Sequence, residues 1–196
     1  MAAQKGNTVV VYAALAGNLL IAITKLVAAV FTGSSAMISE GIHSLVDTGN
    51  EVLLLYGLHR ASRPPDAGHP LGHGRELYFW SFVVALLIFA IGAGVSVYEG
   101  ALHMMAPEPM VSPVANYVVL ALSALFEGVS WTIALREFNK QRGALGYLEA
   151  IRKSKDPTTF TVSVEDTVAL IGLAVAFVGI LASRLFDHAR RGGAAS

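Results

Sequence analysis

Five stretches of this sequence are predominantly apolar over about 20 residues or more, the length that an α-helix needs to cross a bilayer. They run from Thr8 to Phe31, Ser35 to Leu58, Leu77 to His103, Pro113 to Leu135 and Thr158 to Ser183. Backbone groups in lipid cannot bond to water, so each such segment must satisfy them within a helix. The pattern predicts an all-α, polytopic bundle of about five transmembrane helices, in a single domain over residues 1–196 with no soluble C-terminal domain.

Composition agrees with a membrane protein. The chain is 54% hydrophobic and only 14% charged, whereas a soluble domain has about 25% charged residues. Its formal net charge is zero, so it lacks the basic surface that a nucleic-acid partner needs. It contains no cysteine, which excludes disulfides and thiolate metal sites. Any metal must therefore be held by nitrogen and oxygen ligands.

Positive charges fall on one side of the predicted bundle. The loops around Gly33 and Pro107 contain no Lys or Arg, whereas the N-terminus and the loops after the second and fourth spans do. Because Lys- and Arg-rich loops stay in the cytoplasm, we expect a cytoplasmic N-terminus and a multi-pass protein of the cytoplasmic (inner) membrane. Arg184, Arg190 and Arg191 follow the fifth span and depart from this rule, which a sixth span would restore.

The second span carries an unusual row of ionisable residues. Glu40, His43, Asp47 and Glu51 are spaced by three or four residues, so a helix places them along one stripe. Ionisable groups at membrane depth are costly and face one another, a water path or the bundle interior. His43 and Asp47 form half of a site for a divalent cation such as Zn²⁺, or else a hydrogen-bonded packing network. Asp166, preceded by Glu165, is the candidate on another helix that would complete a metal site.

The loop after this span carries the most specific motif in the chain. It reads Asp66-Ala-Gly-His69-Pro-Leu-Gly-His73-Gly-Arg-Glu76, and it follows the His43-Ser-Leu-Val-Asp47 helix. Together these motifs resemble the cation diffusion facilitators, which export zinc and related divalent metals in exchange for protons. The Glu165-Asp166 segment is similar to the branch that includes the mitochondrial zinc exporter.

The resemblance implies roles for individual residues. His43, Asp47 and Asp166 match positions that bind the transported ion, and Asp66, His69 and His73 match a second, cytoplasmic metal site in the loop. Val162 stands where the family has a His or Asp ligand, which Glu165, as a weaker candidate, could replace. An alternative for the loop is a turn whose histidines only form hydrogen bonds.

The resemblance also implies a secondary active transporter of Zn²⁺, with Mn²⁺, Fe²⁺, Co²⁺, Ni²⁺ or Cd²⁺ as other possible substrates, and not an enzyme. The usual sixth helix and cytoplasmic domain are absent from the sequence, so we expect a homodimer to form through membrane helices. The alternative is a non-transporting, accessory or truncated metal-binding protein of the same fold. An intramembrane hydrolase is disfavoured because the chain has no Gly-x-Ser-x-Gly or His-Glu-x-x-His motif.

Further polar residues lie inside the predicted spans. Lys25 is expected to neutralise a carboxylate or to extend toward the membrane surface. Glu99 and Glu127 lie deep enough to need partners, and proton relay or structural pairing is favoured over metal ligation for them. Glu40 and Glu51 flank His43 and Asp47 and are expected to line water paths to the site.

Overall fold

A computed structural model describes residues 2–105, 113–153 and 157–193. The described parts contain α-helices and one π-helical segment, without a strand, which confirms the predicted all-α fold. The α-helices are α1 (Ala2–Thr32), α2 (Ser35–Ala61), α3 (Arg75–Leu87), α4 (Gly94–Met105), α5 (Pro113–Arg142), α6 (Tyr147–Lys153) and α7 (Pro157–Gly193). Pro107 and Pro109 lie outside the described residues, as does the side chain of Glu99.

Helices α1 and α2 form a tight antiparallel hairpin. Gly33 turns the chain in the left-handed region, with φ of +66°, which favours a residue without a Cβ. Its N–H donates to the carbonyl of Ala29 at 2.8 Å. Ser34 then begins α2 as its N-cap, because its hydroxyl accepts a hydrogen bond from the Met37 N–H.

Buried polar contacts fix the register of α1, α5 and α7 near their ends. The Oδ1 atom of Asn7 accepts hydrogen bonds from Gln141 Nε2 at 2.8 Å and from Thr159 Oγ1 at 3.0 Å. Further into the bundle, Ser130 Oγ donates to Asp166 Oδ2 at 2.8 Å. Helix α5 therefore runs antiparallel to both α1 and α7, while α3 packs on α2 and α7.

The apolar core occupies the half of the bundle that contains Asn7. Its buried members come from five helices and are Val10, Val11, Ala14, Leu54, Leu58, Val84, Ala134 and Val162. This half is the end at which the Lys- and Arg-rich loops lie. The opposite half, beside the α1–α2 turn, contains the cavity described below.

Three helical stretches are long and apolar enough to cross a membrane by length and composition: Asn7–Thr32, Val114–Arg142 and Pro157–Ala182. They coincide with the first, fourth and fifth predicted spans. The second predicted span is α2, which carries the ionisable stripe. The third corresponds to α3 and α4, which a π-helical segment (Ile88–Ala93) joins. Both are helical as predicted, and their passage through the bilayer stays a prediction.

The close packing of α2 on α3 predicts unequal effects of alanine at two glycines of α2. A Cβ at Gly57 would lie 2.6 Å from Trp80 Cβ, an atom close to the backbone, so Gly57→Ala must push the helices apart. We expect it to destabilise the fold by about 1–3 kcal/mol. A Cβ at Gly49 would meet nothing within 4 Å, so Gly49→Ala should be neutral or stabilising by up to about 1 kcal/mol. Thermal unfolding in detergent measures both, and equal shifts would contradict this packing.

Candidate metal centre

A cavity of about 500 Å³ lies between α1, α2, α5 and α7. Its lining comes from the parts of these helices that adjoin the α1–α2 turn, and much of it is aliphatic. The titratable residues in its wall are Lys25, Glu40, His43, Asp47, Glu127 and Glu165. Three of the four residues of the α2 stripe thus meet at one cavity, as a helical stripe predicts.

His43 and Asp47 stand side by side on α2 in the wall of this cavity. The imidazole Nε2 lies 3.8 Å from Asp47 Oδ2, and both side chains are partly exposed. That separation is too long for a hydrogen bond. It is compatible with two ligands of one Zn²⁺ ion, since ligand atoms about 2.0–2.2 Å from the metal lie within about 4 Å of each other. The pair therefore has the geometry of the predicted half-site.

The two acidic residues of α7 have different surroundings. Asp166 is 2% exposed, accepts the hydrogen bond from Ser130 on α5, and does not line the cavity. Glu165 does line it, yet both of its carboxylate oxygens are shielded and accept no hydrogen bond from the described residues. Val162 is fully buried in the apolar core. The structure therefore brings Glu165 to the cavity that holds His43 and Asp47, and ties Asp166 to α5.

Glu51 ends the α2 stripe below the cavity. It is 0% exposed, and neither carboxylate oxygen has a hydrogen-bond partner in the part of the chain that the structure describes. Asn18 of α1 and Glu165 of α7 are close enough to Glu51 to interact with its carboxyl group. Two shielded carboxyl groups close to each other cannot both be ionised unless a cation binds beside them, because unpaired buried charge is very costly. Without a cation, at least one of them must take up a proton.

The loop after α2 forms a compact cluster. Asp66 Oδ1 lies 3.1 Å from His69 Nδ1, Asp66 Oδ2 lies 3.4 Å from His73 Nε2, and the two imidazole rings are 4.1 Å apart at their centroids. Within the described ranges, this is the group of three potential ligands whose atoms all lie within 4.8 Å of one another. The loop is a series of turns and not a helix, with Gly72 at φ of +81°. Turns, and not helical spacing, bring the three side chains together.

Local hydrogen bonds hold Asp66 in its ionised form. The backbone N–H of His69 donates to Asp66 Oδ1 at 2.7 Å, and the N–H of Gly68 donates to the same oxygen at 2.9 Å. These donors, with the His69 imidazole, lower the pKa of Asp66 below its ordinary value. His73 is buried, and its Nδ1 has no partner among the described residues. A preformed, ionised carboxylate beside two imidazoles suits a divalent cation.

An ion pair joins the two helices that flank this loop. Arg60, at the end of α2, donates from Nη2 to Glu76 Oε1 at 2.8 Å, at the start of α3. Trp80 Nε1 donates to the other oxygen of Glu76 at 3.0 Å. The Arg60 contact, followed by the Trp80 hydrogen bond, lowers the pKa of Glu76. The two ends of the loop are thus held close together by α2 and α3.

Two functional neighbours were not expected from the sequence. Ser130 holds Asp166, and Ser123 lines the cavity with a buried hydroxyl that has no partner in the described residues. Ser123, Glu127 and Ser130 are separated by four and three residues, so they share one face of α5. That spacing is a stripe like the one on α2 and could have indicated the inner face of α5.

Residues 11–191 match the family described as the cation efflux transmembrane domain. The chain belongs to the cation efflux family. This confirms the family that the helix and loop motifs predicted. No solved structure matches the chain significantly.

Several relatives of this cation efflux chain have curated names. It is 39% identical over 175 residues to "Proton-coupled zinc antiporter SLC30A9, mitochondrial" of Xenopus laevis, covering 88% of this chain and 31% of that protein. Identity to the Homo sapiens protein of the same name is 36% over 174 residues, with the same coverage. "Metal tolerance protein C4" of Arabidopsis thaliana is 33% identical over 156 residues, covering 79% of this chain and 34% of that protein. The chain therefore spans about a third of the length of these relatives.

The loop geometry predicts that the charge of Asp66 matters more than its shape. In Asp66→Asn the amide oxygen can still accept both backbone hydrogen bonds, so the turn should persist while the anionic ligand is lost. We expect Zn²⁺ affinity of the loop to fall more than about tenfold, measured by calorimetry in a His43→Ala background. Glu149→Gln, an exposed carboxylate on α6, is the control and should change nothing. Equal affinity in Asp66→Asn and the parent would exclude Asp66 as a ligand.

The same experiment at several pH values tests how the Zn²⁺ affinity of the loop depends on pH. Bound imidazoles must lose their protons, so Zn²⁺ binding to the loop should weaken as the pH falls. The lowered pKa of Asp66 means that folding of the loop is favoured above the ordinary carboxyl pKa, and that this contribution is lost as the pH falls through the lowered value. Protonation of Asp66 should therefore follow, and not cause, the loss of metal.

Proposed function

We propose that this protein exports a divalent metal cation, Zn²⁺ in the first instance, across a membrane in exchange for protons. The observation that carries the proposal is one cavity inside an apolar helix bundle whose wall holds His43, Asp47 and a carboxylate of α7, Glu165. An imidazole with carboxylates favours Zn²⁺, and Mn²⁺, Fe²⁺, Co²⁺, Ni²⁺ or Cd²⁺ can use the same ligands. The relatives named as zinc antiporters support this substrate class.

Exchange for protons follows from the chemistry of the cavity. A metal binds the neutral imidazole and ionised carboxylates, so its arrival expels protons. When it leaves, the bundle retains shielded carboxyl groups at Glu51 and Glu165 that no described residue neutralises by a hydrogen bond. An empty and fully ionised site would be too costly to carry through the membrane. Protons are the cations that can replace the metal for the return step.

The position of the cavity corresponds to one state of an alternating cycle. The cavity lies in the half beside the α1–α2 turn, whereas apolar residues from five helices close the half with the positively charged loops. With those loops in the cytoplasm, this is an outward-facing state that releases metal. Opening the apolar half would admit metal from the cytoplasm, where the loop cluster of Asp66, His69 and His73 would collect it. We further propose a homodimer formed through membrane helices.

A second candidate function is metal binding without transport. Val162 is buried in the apolar core where the family has a ligand, and Asp166 is bonded to Ser130 away from the cavity. If these features leave the cavity one ligand short, the protein could bind metal in an accessory role. Calorimetry alone cannot separate the two functions, but flux driven by a pH gradient can.

Transport assays in proteoliposomes test the main proposal. His43→Ala and Asp47→Ala should each reduce Zn²⁺ flux driven by a pH gradient by at least about tenfold, because each removes a ligand that binds the ion in transit. Glu149→Gln, which removes a carboxylate outside the cavity, should leave the flux unchanged. Zn²⁺ binding without any flux in the parent protein would favour the accessory function. Full flux in both ligand variants would refute the site.

The orientation can be tested with single cysteines, since the chain has none of its own. Ala144→Cys lies in the exposed loop after α5, and Phe31→Cys lies at the exposed end of α1 beside the turn. With Lys- and Arg-rich loops in the cytoplasm, a membrane-impermeant maleimide should label Ala144→Cys in inside-out vesicles and Phe31→Cys in right-side-out vesicles. The reversed pattern would place the N-terminus outside and make the cavity cytoplasm-facing.

A further inference from the structure

Lys25 of α1 places an ammonium group inside the wall of the cavity. Its Nζ lies 2.8 Å from Glu40 Oε2 and 3.2 Å from Ser44 Oγ, both on α2. The Lys25 side chain is only 12% exposed, whereas Glu40 is 55% exposed. Along α2, Glu40 is nearer the α1–α2 turn than His43 and Asp47 are. The ion pair therefore lies between the candidate metal ligands and the turn.

The charge of Lys25 reaches beyond its partner. Its electrostatic effect extends to Asp47 on α2 and to Glu127 on α5. Of the described residues that line the cavity, Lys25 is the one Lys or Arg, and the other ionisable side chains are carboxyl groups and the His43 imidazole. A fixed positive charge beside a site for a divalent cation opposes binding of that cation unless a carboxylate offsets it.

We propose that Lys25 is a tethered counter-cation that lowers the affinity of the cavity for the transported metal and so promotes its release toward the α1–α2 turn. The inference rests on the proposed transport of a divalent cation. Glu40 tunes the effect, because its carboxylate offsets the ammonium charge while the pair is closed. When a metal ion is bound by His43 and Asp47, the Lys25 ammonium repels it. This repulsion lowers the affinity enough for the ion to dissociate. Lys25 is thus a positioning residue that sets affinity and does not touch the metal.

A purely structural ion pair makes a different prediction from a counter-cation. If the pair only joins α1 to α2, breaking it from either side should disturb the cavity and weaken metal binding in the same direction. If the charge of each residue matters, substitutions of Lys25 and of Glu40 should change the metal affinity in opposite directions. Lys25→Met removes repulsion and frees a carboxylate, so binding should tighten. Glu40→Gln leaves the ammonium uncompensated, so binding should weaken.

The experiment measures Zn²⁺ binding by calorimetry to the full chain in detergent, in an Asp66→Asn background that suppresses the loop cluster. We expect Lys25→Met to bind on the order of tenfold more tightly and Glu40→Gln on the order of tenfold more weakly. The double variant restores the net charge and should bind within about threefold of the parent. Lys25→Arg, which keeps the charge, should resemble the parent. Thermal unfolding checks that each variant is folded.

A matched control is the Lys140–Glu137 pair, which lies at the end of α5 away from the cavity. Lys140 Nζ lies 3.0 Å from Glu137 Oε2, and its side chain is 74% exposed outside the cavity. Lys140→Met removes the same charge from a similar pair, so it should leave Zn²⁺ binding to the cavity unchanged. Equal tightening in Lys140→Met and Lys25→Met would make the effect one of net charge alone and overturn the proposal.

Flux measurements separate this proposal from the transport function. In proteoliposomes at saturating Zn²⁺, Lys25→Met should turn over more slowly than the parent, since release becomes harder. If the parent transports Zn²⁺ but Lys25→Met and Glu40→Gln change affinity in the same direction, only the role of Lys25 is refuted. If the parent neither binds Zn²⁺ in the cavity nor transports it, the proposed function fails and the role of Lys25 fails with it.

Discussion

The energetic cost of charge inside an apolar helix bundle is the constraint on which this structure depends. Glu40, Asp47 and Glu51 lie along one stripe of α2, and their carboxyl groups have different partners in the structure. Glu40 pairs with Lys25, Asp47 stands beside His43, and Glu51 is left without a hydrogen-bond partner among the described residues. From the α1–α2 turn into the bundle, these three carboxyl groups thus have progressively fewer partners. A mobile cation gains most where fixed compensation is weakest.

The two halves of the bundle differ in their packing: one contains the apolar core and the other contains the cavity. Aliphatic side chains from five helices pack together in the half with the charged loops, around the hydrogen bonds of Asn7. The half beside the α1–α2 turn contains the cavity, whose wall combines aliphatic side chains with ionisable groups. The loop cluster lies at the closed half, where Arg60 of α2 and Glu76 of α3 join the two helices that flank the loop. The cavity, the apolar core and the loop cluster thus follow one axis of the molecule.

Much of the fold and part of the site could be predicted from the sequence. Long apolar segments predicted the helices, and the spacing of Glu40, His43 and Asp47 predicted their shared face, because both depend only on local helix geometry. The choice between Glu165 and Asp166 could not be predicted. Residues adjacent on a helix point about 100° apart, and the rotation of α7 is set by long-range packing of Val162 and by the hydrogen bond from Ser130. The loop cluster was found from its motif, but the turns that assemble it were not.

Asn7 bears on how the closed half could open. A single side-chain oxygen receives hydrogen bonds from Gln141 on α5 and Thr159 on α7, so one atom joins three helices. Separating any one helix from Asn7 breaks at least one of these bonds in a buried place where water cannot yet replace it. A partly opened bundle would therefore lose a hydrogen bond of Asn7 before water could reach the freed polar groups. For the proposed transport, such a junction favours an all-or-none movement of the closed half, which would limit leakage of ions through a half-open bundle.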